Sequence, residues 1–338
     1  MPLEVTTVTD DEIVAHDGAD VIRLDGLAPD TEYRVGDHTV RTLPRRGELL
    51  CTFATVNDVH FGETTCGVVE GTDIGPTFAV ADGEDPYPEF MNRGAVAEIA
   101  AAAPAVVVAK GDLTASGTVA EYQRFLDVYG GAFGDRLHHV RGNHDAYHGE
   151  VFADRPTQEV RLDGVTLAIL DTARSEQVNG SVSREQADWL DELATRSDRP
   201  VLVLGHHNIW NPDVDPRVDT YFGVRPDDTE RLLDVFARRS NLVGYFAGHT
   251  HRNRRQQLSA TGAVPFVEVA CVKDFPGTWA EYRVFDGAII QAHRRIGTPE
   301  ALAWSERTRH MYEGGYAAYA FGRLDDRCFL IGTDRSAT

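Results

Sequence analysis

Five short apolar runs, each ending abruptly in a cluster of Asp, Asn and His, constrain this chain more than any other feature. Leu49–Val56 runs into Asn57-Asp58-Val59-His60, and residues 105–109 run into Lys110-Gly111-Asp112. Leu137–Val140, apolar at its ends with His138 and His139 between, leads to Arg141-Gly142-Asn143-His144-Asp145. Val201–Leu204 leads to Gly205-His206-His207, and Leu242–Ala247 to Gly248-His249-Thr250-His251. Largely apolar runs rich in β-branched residues predict strands buried on both faces. In open α/β sheets the ligand site lies beyond the carboxyl ends of the strands. The pattern therefore predicts that five separate segments bring their polar residues to the same edge of a sheet.

Helical patterns fill the gaps, which makes the fold class α/β. Residues 89–103 are Ala-rich and stop at Pro104, and residues 118–129 place Tyr122, Phe125, Leu126 and Tyr129 at helical spacing. Ser183 with Gln186 forms a capping box ahead of Ala187, Leu190, Leu193 and Ala194. Asp227 or Asp228 is placed to cap a helix that buries Leu232, Leu233 and Phe236. Residues 1–48 read as a small β appendage, with β-prone runs at Val21-Ile22-Arg23-Leu24 and Glu32-Tyr33-Arg34-Val35 between turn signals. The main body spans 49–299. Residues 300–338 form a tail, too apolar to hang free, that is expected to dock on the body or on a second subunit. Two long loops, 62–88 and 208–226, leave the expected site edge, where long ordered loops act as lids or specificity walls.

A two-metal hydrolase needs two cations roughly 3.5–4 Å apart that clamp one phosphoryl group and generate hydroxide near neutral pH. One carboxylate should bridge them, and imidazole and oxygen ligands suit Fe, Mn or Zn over Ca. The clusters offer such a set. Asp58 and His60 are two residues apart, so they meet one ion only on a bend, where the strand has ended. Asp112 follows Gly111, and glycine lets the backbone come close to the metals. Asn143 offers a neutral amide oxygen, and His206, His249 and His251 complete the set.

In order and spacing these five clusters resemble the five blocks of the calcineurin-like metallophosphoesterase superfamily over roughly residues 50–295: D-x-H, G-D, G-N-H-D, G-H or H-H, and G-H-x-H. The resemblance implies a metallophosphoesterase β-sandwich flanked by helices, in α/β/β/α layers, with the N-terminal β appendage added. It implies two divalent or mixed-valence metal ions, Mn, Fe or Zn. Asp58, His60 and His251 would hold the first, Asn143, His206 and His249 the second, and Asp112 would bridge. His144 would bind phosphate and protonate the leaving oxygen, and Asp145 would orient His144. His206 is favoured over His207 because it lies nearer the strand end. The sequence departs from relatives that continue with Pro, since Asn208-Ile209-Trp210 follows.

Softer similarities bear on the substrate. Gly111-Asp112-Leu113-Thr114 up to Phe125, and Leu170-Asp171-Thr172 followed by Gln186-Ala187-Asp188-Trp189-Leu190, resemble bacterial cyclic-nucleotide-phosphodiesterase-like proteins. Residues 24–33 of the appendage are similar to a corner of a fibronectin type III domain. An N-terminal β appendage is also found in purple acid phosphatases, but Leu113 and Thr114 stand where their chromophoric tyrosine would be. The reading is a phosphodiesterase of cyclic nucleotides or other small diesters. The alternatives are a phosphomonoesterase of small or lipid-like phosphates and, more remotely, a non-catalytic binding scaffold, which should have lost ligands. A monoester carries more charge than a diester and favours a basic mouth, whereas Arg93, Arg217 and Arg225 in and near the loops are isolated.

Composition limits the partners. A net charge of −20 repels nucleic-acid backbones, so non-specific nucleic-acid binding is disfavoured. No run reaches transmembrane length. The first ten residues lack the basic start and apolar core of a secretory signal. Cys51, Cys66, Cys271 and Cys328 form no CxxC pair and read as free thiols of a reducing, cytoplasmic compartment. The only lysines, Lys110 and Lys273, read as a matter of composition rather than of a site. A homodimer is compatible with the apolar tail.

Overall fold

The computed structural model describes residues 3–69, 71–149 and 151–333. Met1 and Pro2 of the appendage and residues 334–338 of the tail lie outside the described residues. Two six-stranded sheets form the body. The first runs Leu137–Val140, Val107–Lys110, Leu49–Val56, Thr278–Phe285, Ala288–Arg295 and Phe329–Gly332. The second runs Thr157–Leu162, Val165–Leu170, Val201–Leu204, Leu242–Ala247, Pro265–Glu268 and Arg254–Gln257.

All five apolar runs are strands, and within each sheet they pair in parallel. They do not share one sheet, however. Three lie in the first and two in the second. The inner faces meet in a core that includes Phe53, Val108, Val140, Leu202, Leu204, Phe246 and Tyr282, with Phe53 stacked on Tyr282 at 4.4 Å. Sheet-on-sheet packing of this kind puts the carboxyl ends of both parallel sets at one end of a sandwich.

Helices cover the outer faces. Tyr87–Ala102, Val119–Phe125 and Pro299–Thr308 pack on the first sheet, while Arg184–Arg196 and Pro226–Arg238 pack on the second. The resulting layers are α/β/β/α. The Ser183–Gln186 capping box is present. Asp227 and Asp228 do not cap the next helix. It begins at Pro226 after Arg225, because proline suits the first helical position. Asp228 instead accepts from Ser181, Arg225 and Arg231. The helix from Val119 passes at Leu126–Gly130 into a π turn, a local widening rather than the expected regular run.

The N-terminal segment forms the sheet Glu4–Val8, Glu12–Asp17, Asp20–Asp25 and the hairpin Glu32–Val35 with His38–Arg41. It shares a small core with Cys328 and Leu324 of the C-terminal segment. Arg283 bridges Asp10 and Asp11, and Arg309 meets Glu4 at 2.6 Å. The C-terminal segment packs on the body: Trp304 stacks on Tyr87 at 4.5 Å, and Phe329–Gly332 extends the first sheet as its edge strand. All four cysteines are free. No helix among the described residues is long and apolar enough to cross a membrane.

Candidate metal centre

The polar clusters converge where the two sets of parallel strands end. Asp58, His60, Asp112, His249 and His251 all have positive φ, between 48° and 69°. L-residues avoid that region, and several of them together mark a backbone held by its surroundings for a purpose. The chain turns sharply off each strand, so residues spaced two apart face the same point. Gly111, at φ 90°, follows the same logic: a Cβ there would lie 2.6 Å from His206 Nδ1. A Cβ on Gly142 would lie 2.1 Å from Asp112 Oδ1, so the two loops meet backbone to side chain.

Asp112 is the hub. Its Oδ2 lies 3.5 Å from His60 Nε2 and 3.3 Å from His206 Nε2, while its Oδ1 accepts the His144 N–H at 2.9 Å. On one side Asp58, His60, Asp112 and His251 bring ligand atoms within 4.8 Å of one another, with His251 Nε2 3.4 Å from Asp58 Oδ1. On the other side His206, His207 and His249 bring ligand atoms within 4.8 Å of one another, and Asn143 Oδ1 lies 3.1 Å from His206 Nε2. All seven candidate ligands are thus in one constellation.

The free nitrogens follow from the bonds the rings already make. His206 Nδ1–H donates to Lys110 O at 2.8 Å, which leaves Nε2 to the centre. His249 Nε2–H donates to Phe222 O at 3.1 Å, which leaves Nδ1. His60 Nδ1 lies 2.8 Å from Glu63 Oε2, and its buried Nε2 has no hydrogen-bond partner among the described residues. A buried nitrogen without a partner, beside a carboxylate and other imidazoles, fits a cation of the Fe, Mn or Zn type. His207 stands in the same cluster, but both of its ring nitrogens are already engaged. Its ring bonds Thr172 Oγ1 at 2.8 Å and Val178 O at 3.1 Å, and burial holds it well below the usual histidine range.

The charges of the site's own groups fit the same reading. Burial opposes charge at His60, but Glu63 and Asp112 push it up to about 10. His206 is raised to about 9 against burial by Asp112 and Asp58. His249 goes the other way, to about 3, through burial and the neighbouring His206. Burial opposes ionisation of Asp112, yet the facing histidines hold it well below the usual carboxylate range.

Asp145 does not do what the sequence suggests. Its carboxylate accepts from the backbone N–H of Leu113, Thr114 and Gly142 and from the Thr114 hydroxyl, at 2.6 to 3.0 Å. It ties the loop that carries Asp112 to the loop that carries Asn143 and His144. The four donors fully engage it, and the His144 ring turns elsewhere: its Nδ1–H donates to Ala115 O at 2.7 Å. Burial and nearby Asp112 push Asp145 up to about 6.

Sequence reasoning missed a second layer. Lys273 is buried, with Nζ 2.9 Å from both Glu63 Oε1 and Asp274 Oδ2. It anchors the carboxylate that faces His60. The signal was available, since both lysines of the chain are buried beside the centre: Lys110 Nζ donates to Ala247 O at 2.9 Å. His251, Cys271 and Asp274 also cluster within 4.8 Å. There, however, Asp274 is already satisfied by Lys273, the Cys271 thiol and the Tyr316 hydroxyl. Tyr147 accepts from Asn143 Nδ2 and so sits against the centre. Trp210 is packed, its indole N–H donating to Pro216 O.

The family model of calcineurin-like phosphoesterases matches residues 51–253. The chain is 25% identical over 181 residues to a probable cyclic nucleotide phosphodiesterase of Synechococcus, covering 49% of this chain and 68% of that protein. It is 28% identical over 160 residues to a cAMP/cGMP dual specificity phosphodiesterase of Mycobacterium tuberculosis, covering 44% of this chain but only 49% of the relative. In fold it is similar to a dimetal phosphatase from Danio rerio, with a TM-score of 0.55 and 18% identity over 74% of this chain and 98% of that one.

Proposed function

The chain belongs to the calcineurin-like phosphoesterase family, and from that premise we propose that its centre hydrolyses phosphodiesters, with small cyclic nucleotides as the leading substrates. It is a hydrolase of the dimetal phosphoesterase type. The observation that carries the proposed site is Asp112 Oδ2, set between His60 Nε2 at 3.5 Å and His206 Nε2 at 3.3 Å. In this reading Asp58, His60 and His251 would hold one ion, Asn143, His206 and His249 would hold the other, and Asp112 would be shared between them. When bound, the two ions supply Lewis acidity toward the phosphoryl oxygens and lower the pKa of an attacking water. Mn, Fe and Zn all suit the nitrogen and oxygen donors.

The protein's own groups do the rest. His144 holds its Nδ1 proton against Ala115 O, so Nε2 is the nitrogen that carries a proton to the leaving oxygen. Burial lowers the His144 pKa, so its imidazolium is a stronger acid but a scarcer one near neutral pH, and the acid role needs the ring protonated on both nitrogens. Asp145 positions Asp112 and His144 by joining their loops rather than by touching the imidazole.

The diester reading is supported by charge and by relatives. Arg93 pairs with Asp85 and Glu89, Arg217 with Asp227 and Glu230, and Arg225 with Asp228, so these cations are neutralised rather than held for a dianionic monoester. Both curated relatives are named as cyclic nucleotide phosphodiesterases. Four free thiols support a reducing, cytoplasmic setting. The test is a panel of 3′,5′-cyclic nucleotides, aryl diesters and aryl monoesters with the manganese-loaded protein. Greater kcat/KM on the diesters is expected, and a preference for monoesters would overturn the assignment.

A further inference from the structure

Beside the centre lies a cleft of about 550 Å³, within the size range of small-molecule sites. His249 and His251 line it together with Phe222, Tyr312, Tyr316 and Tyr319. Three of these rings are strongly exposed for aromatic residues: Phe222 44%, Tyr312 36% and Tyr319 45%. Grouped exposed rings beside a site are a binding surface rather than an accident of packing.

The polar ends of two tyrosines are already committed. The Tyr319 hydroxyl donates to Thr250 O at 3.0 Å, and the Tyr316 hydroxyl donates to Asp274 at 2.6 Å. Their hydroxyls are tied to the body, so what these rings offer the cleft is aromatic surface. Tyr312 stands edge-on to Tyr316 at 5.3 Å. It is held out by two successive left-handed residues, Tyr312 at φ 52° and Glu313 at φ 56°. That strained turn is pinned by the Glu313 N–H donating to Gly75 O at 2.7 Å. Opposite, the loop that carries Phe222 is fixed by the bond from His249 to Phe222 O.

Charge narrows the ligand further. No Lys or Arg lines the cleft. The nearby Arg252 lies 5.1 Å over the Tyr319 ring and is paired with Glu268 at 2.8 Å. A second phosphate would find no counter-charge in this chamber, whereas a flat neutral ring would find stacking partners.

We propose that the cleft between Phe222, Tyr312 and Tyr319 binds the uncharged aromatic ring, a nucleobase or an aryl group, of the ester whose phosphorus is held at Asp112. This rests on the phosphoesterase reading above. It adds that the substrate carries a ring and no second phosphate, and that the C-terminal segment supplies the specificity wall. The experiment is an equilibrium titration of the full-length protein with adenosine, phenol and ribose, followed by tyrosine and tryptophan fluorescence and by calorimetry. Wild type, Phe222→Ala, Tyr312→Ala and Tyr312→Phe are compared, with metal content and melting temperature recorded for each. Adenosine should bind and ribose should not. Each alanine variant should weaken adenosine roughly fivefold or more, and Tyr312→Phe should match wild type. Adenosine well above phenol assigns a nucleobase, and equal affinity assigns a simple aryl group. Unchanged affinity in both alanine variants, or ribose binding as well as adenosine, overturns the proposal. Because binding is read without turnover, a protein that binds adenosine but cleaves no ester would contradict the proposed function and leave the cleft standing.

Discussion

The Nδ1–H of His144 donates to the carbonyl oxygen of Ala115 at 2.7 Å, and this bond decides which imidazole nitrogen is left for chemistry. If Nε2 delivers a proton, His144→Ala should cost roughly 10²–10⁴-fold in rate on esters with poor leaving groups. Nitrophenolate leaves without help, so nitrophenyl esters should lose much less. Kinetics across esters of graded leaving-group pKa, with metal content measured alongside, check this. An equal loss on every ester would reduce His144 to a phosphate contact, and lost metal would make it a ligand.

Asp145→Asn tests the loop tie. The amide would turn a donor toward backbone N–H groups that now donate to a carboxylate. Leaving such buried groups unsatisfied costs about 1–3 kcal/mol each. The variant should melt several degrees lower and bind metal more weakly while its His144 ring stays put. Unchanged stability together with a change confined to the pH profile would restore Asp145 as the partner of His144.

Much of this was legible in the sequence, and the limits have physical causes. The five strands and the seven candidate ligands announce themselves because apolar runs and chelating residues alternate at short range. The division of those strands between two sheets depends on pairings across more than a hundred residues, such as that of Thr278–Phe285 with Leu49–Val56, which no local pattern encodes. Asp145 was misread because its neighbour in sequence, His144, is not its partner in space. Glu63 and Lys273 are 210 residues apart and meet only in the fold.

That pair gives the third prediction. Glu63→Gln should lower affinity for the ion on the His60 side by roughly 10–100-fold, as loss of a carboxylate behind a metal-binding imidazole does. Lys273→Met should destabilise the fold by about 3–5 kcal/mol, because it strands two buried carboxylates. Metal titration and denaturant unfolding separate the two effects. Metal affinity unaltered in Glu63→Gln would show that Glu63 serves packing alone.

Protonation gives the fourth. His60 at about 10 and His206 at about 9 stand above the ordinary value of 6.5, so both are charged in the metal-free protein at pH 7. A cation must displace those protons, and loading at pH 7 should release about two. The same sign governs stability: this contribution to the metal-free fold is complete below pH 6.5 and is lost as pH rises through 9 to 10. Calorimetry in buffers of different ionisation enthalpy measures the release. No proton release at pH 7 would contradict the assignment.

In the proposed centre Asp112 joins two cations into one phosphodiester-cleaving site. The most direct measurement is metal stoichiometry and bis(nitrophenyl) phosphate turnover, taken on the same preparations of wild type and Asp112→Ala after chelation and reloading with manganese. About two ions per wild-type chain are expected, with turnover, and both lost in the variant, since the shared carboxylate screens the ions from each other. A variant that keeps one full equivalent of metal and still turns over would contradict this assignment.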